Sequence, residues 1–162
     1  MTTMTESNSK RGQEIYTPWS LKFYNLWVVN FSNRFIWRCP KHKIQALYDE
    51  NVSAKHLDIG VGTAYFLKNC QWPKDVKLSL MDVNTHSLNL ANQKMKHLNP
   101  IRYQADIYKP QTFLKDLFQS ISMSYLLHCL AGDMRAKTTA IRHAVDMLEP
   151  GGRLFGATII SD

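Results

Sequence analysis

The 162-residue sequence lacks a run of apolar residues that approaches the length of a transmembrane helix, about 18 residues, which excludes a membrane-spanning helix. Its first 14 residues are polar and lack the apolar stretch of a signal peptide, so we expect a cytoplasmic location. There are only three cysteines, with neither a CxxC pair nor a Cys/His ligand spacing. We therefore expect buried free thiols and no metal site.

Acidic residues are also scarce: 13 stand against 20 Lys and Arg, for a net charge of +7. The excess of basic residues lies in residues 1–43, whereas the remainder is nearly neutral. Such a segment can attract an anionic ligand, lipid headgroups or nucleic acid, and a solvated tail and lid is the plainer alternative.

The residue pattern divides the chain into three parts. Residues 1–15 are expected to form a flexible arm, and residues 16–50 a helical lid segment. Within the lid, the aromatic stretch Thr17–Trp37 begins with a typical N-cap and first-turn proline, and a second helix is predicted from Lys41 to about Glu50. Residues 51–162 form the predicted core.

Hydrophobic periodicity predicts five strands alternating with helices in the core. The predicted strands are Lys55–Ile59, Val76–Met81, Ile101–Gln104, Ser120–Ser124 and Arg153–Ile160. The predicted helices are Tyr65–Cys70, Ser87–Leu98, Gln111–Leu117 and Asp133–Leu148, followed by Glu149-Pro-Gly-Gly as a stop and turn. This alternation indicates an α/β fold, a doubly wound (Rossmann-like) parallel sheet with the first strand central and ligands at the carboxyl ends of strands.

A glycine-rich turn follows the first predicted strand, in the sequence His56-Leu-Asp-Ile-Gly-Val-Gly-Thr-Ala-Tyr65. Gly60 and Gly62 allow a sharp turn and a close approach to a ligand. A dinucleotide fingerprint needs a third glycine where Tyr65 stands, and Asp58 would repel a pyrophosphate. A cofactor with a positive amino or sulfonium group would be attracted by Asp58 instead. The residues therefore favour S-adenosylmethionine.

This turn resembles the first motif of the class I S-adenosylmethionine-dependent methyltransferases, D/E-x-G-x-G-x-G. Asp58, Gly60 and Gly62 match it, and Ala64 replaces the third glycine, where its methyl group is expected to crowd the cofactor. The resemblance implies that this loop wraps the methionine part of the cofactor. It also implies that Asp82, at the end of the second strand, holds the ribose hydroxyls.

The same resemblance implies further cofactor contacts after later strands. Val83 would pack on the adenine, and Asp106 would meet the adenine amino group with Ile107 beside it. Ser122 and Met123 would line the cofactor side of the fourth strand.

Two residues after the fourth strand are candidates on the acceptor side. Tyr125 is expected to contact the substrate. His128 is a candidate general base because histidine titrates near neutral pH, with a packed helical turn over Leu126–Leu130 as the alternative. No base is strictly needed, since proximity and orientation can carry much of a methyl transfer.

Two more motifs extend the resemblance. Met147–Leu154 is similar to the family's L-x-P-G-G loop before strand five, and Phe31–Pro40 (FSNRFIWRCP) is similar to the small bacterial methyltransferases of YbcY type. The family core has seven strands, whereas this sequence ends with its fifth. The resemblance therefore implies a chain truncated at the C-terminus, whose fifth strand is an apolar edge able to pair with another copy.

The expected function is transfer of a methyl group from S-adenosylmethionine to an unidentified small-molecule acceptor, apolar or aromatic. Methylation of a nucleic-acid base amino group is disfavoured because Ser122-Met-Ser-Tyr125 lacks the two prolines of the corresponding motif. Two alternatives remain open: a non-catalytic remnant that keeps the fold, and a nucleic-acid or membrane-surface binder that works through residues 10–43.

Overall fold

The computed structural model describes residues 40–111 and 117–159. The elements in these two ranges are α1 (Lys41–Asn51), β1 (Lys55–Ile59), α2 (Tyr65–Lys68), β2 (Lys77–Asp82), α3 (Thr85–Lys94), a 3₁₀ turn (Lys96–Leu98), β3 (Ile101–Gln104), β4 (Phe118–Ser122), α4 (Met134–Asp146) and β5 (Leu148–Phe155). The predicted arm and the predicted helix over Thr17–Trp37 lie outside the described residues, as does Cys39.

The five strands form one sheet in the order β3-β2-β1-β4-β5, and every neighbouring pair is parallel. The predicted doubly wound parallel sheet with a central first strand is confirmed. In this arrangement Asp58 of β1 stands opposite Leu80 of β2 and Ser122 of β4. The carboxyl ends of the three central strands therefore meet at one edge of the sheet.

Helices cover both faces of the sheet and give two apolar clusters. One cluster joins residues of α1, α2 and α3, including Ile44, Tyr48 and Leu88, to β2. The other joins Ala140 and Ala144 of α4 to the opposite face. Each fully buried leucine or isoleucine in these layers contributes roughly 1.5–3 kcal/mol to folding, so both faces are needed for stability.

The helix boundaries are set by capping residues. Asn84 accepts hydrogen bonds from the backbone N–H of His86 (2.8 Å) and Ser87 (3.4 Å), so α3 begins at Thr85, two residues earlier than predicted. The predicted single helix also ends early, because the chain tightens into the 3₁₀ turn and reverses at Asn99, which has φ +47°. At α4, the Asp133 carboxylate caps Ala136 N–H at 2.9 Å.

Other predicted boundaries were also wrong: β2 runs from Lys77 to Asp82 instead of Val76–Met81, and α4 from Met134 to Asp146 instead of Asp133–Leu148. Helix α2 ends at Lys68 rather than Cys70. Neither Gln111 nor Leu117 is helical, and residues 112–116 between them lie outside the described residues. Strand β4 begins at Phe118 and ends at Ser122, two residues earlier at each end than predicted.

The last strand differs most from its prediction. It runs from Leu148 to Phe155 instead of Arg153–Ile160. Its pairing with β4 jumps from Phe118↔Leu148 to Ser120↔Arg153, so the predicted turn is an irregularity within the strand. At the other end, a Cβ at Gly156 would lie 2.3 Å from the Met123 carbonyl oxygen, which requires glycine there.

Cys70 and Cys129 are thiols and are partly buried rather than fully buried. Across residues 40–111 and 117–159, no helix has both the length and the apolar character that crossing a bilayer requires.

Candidate cofactor site

Asp58 lies at the centre of the carboxyl edge and is only 4% exposed. The Tyr48 hydroxyl of α1 donates to its Oδ1 at 3.2 Å. The Ser122 hydroxyl of β4 donates to the same oxygen. Among the described residues no hydrogen-bond donor reaches Oδ2, so that oxygen can accept from a ligand.

The pKa of Asp58 is raised from its usual value to about 7, mainly by burial and to a smaller extent by the negative charge of Asp82. The hydrogen bonds from Ser122 and Tyr48 act in the opposite direction, because they stabilise the carboxylate. A positively charged ligand group at Oδ2 would favour the ionised form in the same way. The site is therefore matched to a cation.

The glycine-rich loop after β1 turns away from the sheet as predicted. Gly60 has φ +76° and donates its N–H to the Met81 carbonyl at 2.8 Å. Gly62 has φ +47°, and a Cβ added there would meet no atom within 4 Å. The loop is thus an open cradle at Gly62, with room for a ligand beside the backbone.

Ala64, which replaces the third glycine of the motif, also has a left-handed conformation, with φ +53°. It is 3% exposed and belongs to the core cluster of α1, α2 and α3. Its methyl group therefore packs in the hydrophobic core. The α3 residue Lys94 fixes the preceding turn, because its Nζ donates to the Thr63 carbonyl at 2.7 Å.

Asp82 lies at the end of β2, next to the loop. The Asn84 backbone N–H donates to its Oδ1 at 2.9 Å. Burial raises the pKa of Asp82, and the backbone N–H groups of Asn84, Gly62 and Val61 act against that rise. Val83 follows as a partly buried residue. The carboxylates of Asp58 and Asp82 thus both lie next to the glycine-rich loop that follows β1.

The residues after β3 form a turn. The Asp106 carboxylate accepts from the Tyr108 N–H at 2.9 Å, and its carbonyl accepts from the Lys109 N–H at the same distance. Ile107 is 4% exposed and belongs to the core cluster on the α4 side. Its carbonyl lies 2.8 Å from Nδ1 of His143. The predicted adenine contacts of Asp106 and Ile107 stay predictions.

The residues after β4 lie at the same carboxyl edge of the sheet, on the side of β1 opposite β2. Met123 is 5% exposed, and its N–H bonds the Phe155 carbonyl at 2.9 Å. Tyr125 has φ +57°, an uncommon conformation for an aromatic residue, and its ring stacks on Phe66 at 6.3 Å between centroids. A hydrogen-bonded turn starts at Leu126, as the alternative for this stretch predicts.

His128 lies within that turn and is partly buried. Its ring meets Tyr125 edge-on at 6.1 Å, and its Nδ1 lies 3.3 Å from the Thr158 hydroxyl. Burial lowers the pKa of His128, and the charge of Lys137 lowers it further. The imidazole is therefore neutral near pH 7, the form in which a histidine can accept a proton.

These donors and acceptors fit S-adenosylmethionine. A carboxylate with an available oxygen suits the cofactor's amino group, a second carboxylate suits vicinal hydroxyls, and the cradle at Gly62 leaves space for the chain between them. A pyrophosphate would face Asp58 directly. In the described part of the chain, no group of three or more His, Cys, Asp or Glu is placed to hold a metal ion.

Residues 57–156 match the protein family described as "Methyltransferase domain", which is more than half of the sequence. The chain belongs to the class I S-adenosylmethionine-dependent methyltransferase family. The resemblance deduced from Asp58, Gly60, Gly62 and Asp82 is confirmed at the level of family and fold.

Two relatives show how far the likeness extends. The chain is 36% identical over 151 residues to demethylluteothin O-methyltransferase of Streptomyces thioluteus, covering 93% of this chain and 66% of that protein. It is 42% identical over 141 residues to YbcY of Escherichia coli strain K12, covering 83% of this chain and 70% of that protein. The chain thus spans about two thirds of the length of the relatives that it matches.

A solved structure gives the same fold. The N-methyltransferase NodS from Bradyrhizobium japonicum WM9, in complex with S-adenosyl-l-homocysteine, aligns over 93% of this chain and 71% of its own with a TM-score of 0.64. The identity is 23%, so this likeness concerns the fold.

Behind Asp58 lies a buried polar network that the sequence pattern did not predict. His56, Ser120 and Ser122 have no exposed surface, and His56 contacts both serines. Ser122 therefore contacts Asp58 and His56 from within the sheet. The sequence does carry a signal: polar residues alternate with apolar ones in His56-Leu-Asp58 and in Ser120-Ile-Ser122, two segments that pair as neighbouring strands in the sheet.

Proposed function

We propose that this chain binds S-adenosylmethionine at the carboxyl edge of β1 and β2 and transfers its methyl group to a small-molecule acceptor. The observation that carries this proposal is Asp58, buried at the end of the central strand with Oδ2 facing no donor among the described residues, two residues before the open loop at Gly60 and Gly62.

Each polar group at this edge has a role in the proposal. Asp58 accepts hydrogen bonds from the cofactor's amino group, the backbone around Gly62 follows its methionine portion, and Asp82 accepts from the ribose hydroxyls. Val83, Asp106, Ile107 and Met123 border the adenine and the sulfur side. Because the two carboxylates are held by protein hydrogen bonds before any ligand arrives, little ordering is required on binding.

The bound cofactor supplies an electrophilic methyl group on a sulfonium. That methyl group would pass from sulfur to an oxygen or nitrogen lone pair of the acceptor, with S-adenosylhomocysteine as the leaving group. The chain's contribution is orientation of the two reactants. In this proposal His128, which is neutral at pH 7, takes a proton that the acceptor gives up, and Tyr125 borders the acceptor.

Two features support a small, planar acceptor. The rings of Tyr65, Phe66 and Tyr125 form a connected aromatic group next to the loop, with centroid distances of 5.2 Å and 6.3 Å. The relative from Streptomyces thioluteus is named for O-methylation of demethylluteothin, a single defined molecule. Aromatic surfaces of this kind bind flat apolar ligands by stacking.

Titration calorimetry with S-adenosylhomocysteine tests the cofactor part of the proposal. The wild-type chain should bind saturably, and Asp82→Ala should lose most of the affinity. Asp146→Ala is the matched control, because Asp146 is an exposed carboxylate on α4 away from this edge. A folded wild-type chain that takes up no S-adenosylhomocysteine would contradict the proposal and favour the remnant alternative.

Release of S-adenosylhomocysteine from S-adenosylmethionine then tests the acceptor. A panel of phenols, aromatic carboxylic acids and amines should give turnover with at least one member, reduced in His128→Gln if that histidine takes the acceptor's proton. The alternative of a nucleic-acid or membrane-surface binder has no supporting observation, since residues 10–39 of its segment lie outside the described residues. Self-association through β5 stays a prediction that light scattering can test.

A further inference from the structure

A chain of hydrogen bonds runs through the sheet and ends at Asp58. His56 stands opposite Ser120, and Asp58 stands opposite Ser122, in the parallel pairing of β1 with β4. Residues paired in this way on one face of a sheet have side chains in direct reach. His56 Nδ1 lies 2.7 Å from the Ser120 hydroxyl, and Nε2 lies 3.0 Å from the Ser122 hydroxyl.

The direction of each proton follows from Asp58. An ionised carboxylate only accepts, so Ser122 must use its single proton on Asp58 Oδ1. The Ser122 oxygen is then an acceptor for His56, which must carry its proton on Nε2. Nδ1 in turn accepts from Ser120. The hydrogen bonds therefore all point toward the carboxylate.

The far end of the chain agrees with this direction. Ser53, just after α1, donates its backbone N–H (3.0 Å) and its hydroxyl (2.7 Å) to the Ser120 oxygen. Ser120 thus accepts twice and keeps its proton for His56. Hydrogen bonds in such a series polarise one another, so the last donor, Ser122, is a stronger donor than an isolated serine.

The surroundings keep His56 neutral, as this arrangement requires. Its ring packs against Trp72 and Phe155, with centroid distances of 5.6 Å and 5.8 Å. Burial lowers the pKa of His56 to about 3. Among residues 40–111 and 117–159, the titratable groups around Asp58 are Tyr48 from α1, Cys70 after α2, Asp82 from β2 and His56 from its own strand.

We propose that His56 is a positioning residue for the cofactor: through Ser122 it fixes Asp58 by Oδ1 and thereby directs Oδ2 to the cofactor's amino group. This inference rests on the proposed function for the identity of the ligand. The hydrogen-bond chain itself belongs to the ligand-free protein, so it can be tested without any ligand.

The test compares two amide replacements of similar polarity. In His56→Gln the side-chain amide reaches about as far as Nε2 and can donate to Ser122. In His56→Asn the amide is shorter and reaches only the Ser120 side. S-adenosylhomocysteine affinity, measured by calorimetry on the full chain at pH 8, should fall at least tenfold in His56→Asn and stay within about threefold of wild type in His56→Gln. Equal affinities in all three proteins would overturn the proposal.

Two ligand-independent measurements accompany this comparison. Long-range ¹H–¹⁵N spectra of wild type at pH 8, where Asp58 is ionised, should show His56 as the Nε2–H tautomer, and an Nδ1–H tautomer would overturn the proposal. The Asp58 carboxyl, followed by ¹³C chemical shift against pH, should have a higher pKa in His56→Asn and in Ser122→Ala than in wild type or His56→Gln.

The outcomes separate the two proposals. If wild type binds no S-adenosylhomocysteine, the proposed function fails, and the tautomer and the Asp58 titration still decide the role of His56. If Asp58 titrates identically in all four proteins, His56 does not act on it, whatever the affinity results. If His56→Asn does not fold, Ser122→Ala replaces it, and undiminished affinity in that variant would overturn the proposal.

Discussion

At the scale of single residues, the buried carboxyl group of Asp58 is proposed to bind the cofactor, but its ionisation lowers the stability of the folded protein. The folded protein holds a proton on Asp58 up to about pH 7, whereas the unfolded chain releases it near 3.8. Unfolding therefore releases a proton within this window, and stability falls as pH rises through it, by roughly 1.4 kcal/mol per pH unit. A neutral side chain at this position avoids that cost.

We therefore expect Asp58→Asn to be more stable than wild type at pH 7.5, because Ser122 and Tyr48 can still donate to the amide oxygen while no buried charge forms. Urea unfolding at pH 7.5 and at pH 4 measures this, and the gain should nearly vanish at pH 4. S-adenosylhomocysteine binding should be lost. A variant that is less stable at pH 7.5 would show that Asp58 is ionised in the folded protein at little cost.

Tyr48 is the second residue that holds Asp58, from α1 rather than from the sheet. Tyr48→Phe removes one donor to the carboxylate, so the pKa of Asp58 should rise and S-adenosylhomocysteine binding should weaken severalfold at pH 7. The loss should shrink at pH 9, where Asp58 is ionised in both proteins. Tyr103→Phe on β3 serves as the control for removal of a hydroxyl, and an equal loss of affinity there would contradict the role of Tyr48.

At the scale of secondary structure, local signals predicted the elements better than their ends. Strand β3 begins and ends at the predicted residues, because Ile101–Gln104 is bounded by a proline and a turn. Strand β5 does not, because Gly151 and Gly152 were interpreted as a stop, whereas pairing with β4 continues on both sides of them. Pairing between distant segments, which a single sequence does not reveal, determined that boundary.

The same limit applies to the candidate site. Asp58 and Asp82 lie at the carboxyl ends of β1 and β2, and Gly60 and Gly62 follow β1, so the sequence indicated these four residues as candidates. His56 lies only two residues before Asp58, yet its role depends on which serines stand opposite it in β4. That register is set by the folded sheet, and α1 brings Tyr48 from outside the predicted core. The β1–β4 register and the position of Tyr48 both depend on contacts between residues that are distant in the sequence.

The end of β5 is constrained by the close approach of Gly156 to β4. In Gly156→Ala the new Cβ would lie 2.3 Å from the Met123 carbonyl oxygen, so the two strand ends must separate. We expect a loss of about 3 kcal/mol in the free energy of unfolding, typical of forced overpacking. Gly151→Ala, with φ +82° but no atom within 4 Å of the new Cβ, should lose only about 1 kcal/mol. Urea unfolding of both variants measures the difference, and similar losses would mean that the strand ends separate easily.

At the scale of the whole molecule, two kinds of buried group give stability opposite pH dependences. Burial raises the pKa of Asp58 and Asp82, so their contributions fall as pH rises. Burial lowers the pKa of His56 and His128, so the unfolded chain gains protons that the folded protein does not, and their contributions fall as pH drops. Between about pH 4 and pH 6.5 these effects oppose each other.

Substituting His56 and Asp58 one at a time should separate their two effects on the pH dependence of stability. In wild type, the unfolded chain protonates His56 near pH 6.5 and the folded protein only near pH 3, so this residue costs stability as pH falls between those values, by roughly 1.4 kcal/mol per unit. His56→Gln lacks this cost, so its stability relative to wild type should increase as pH is lowered from 6.5 to 4. Asp58→Asn should show the reverse, with a relative stability that decreases over the same range. Urea unfolding of the three proteins at half-unit pH intervals measures both differences. Parallel curves for all three would mean that neither group titrates differently in the folded and unfolded protein, and the polar network behind the cofactor edge would then have no part in the acid sensitivity of the molecule.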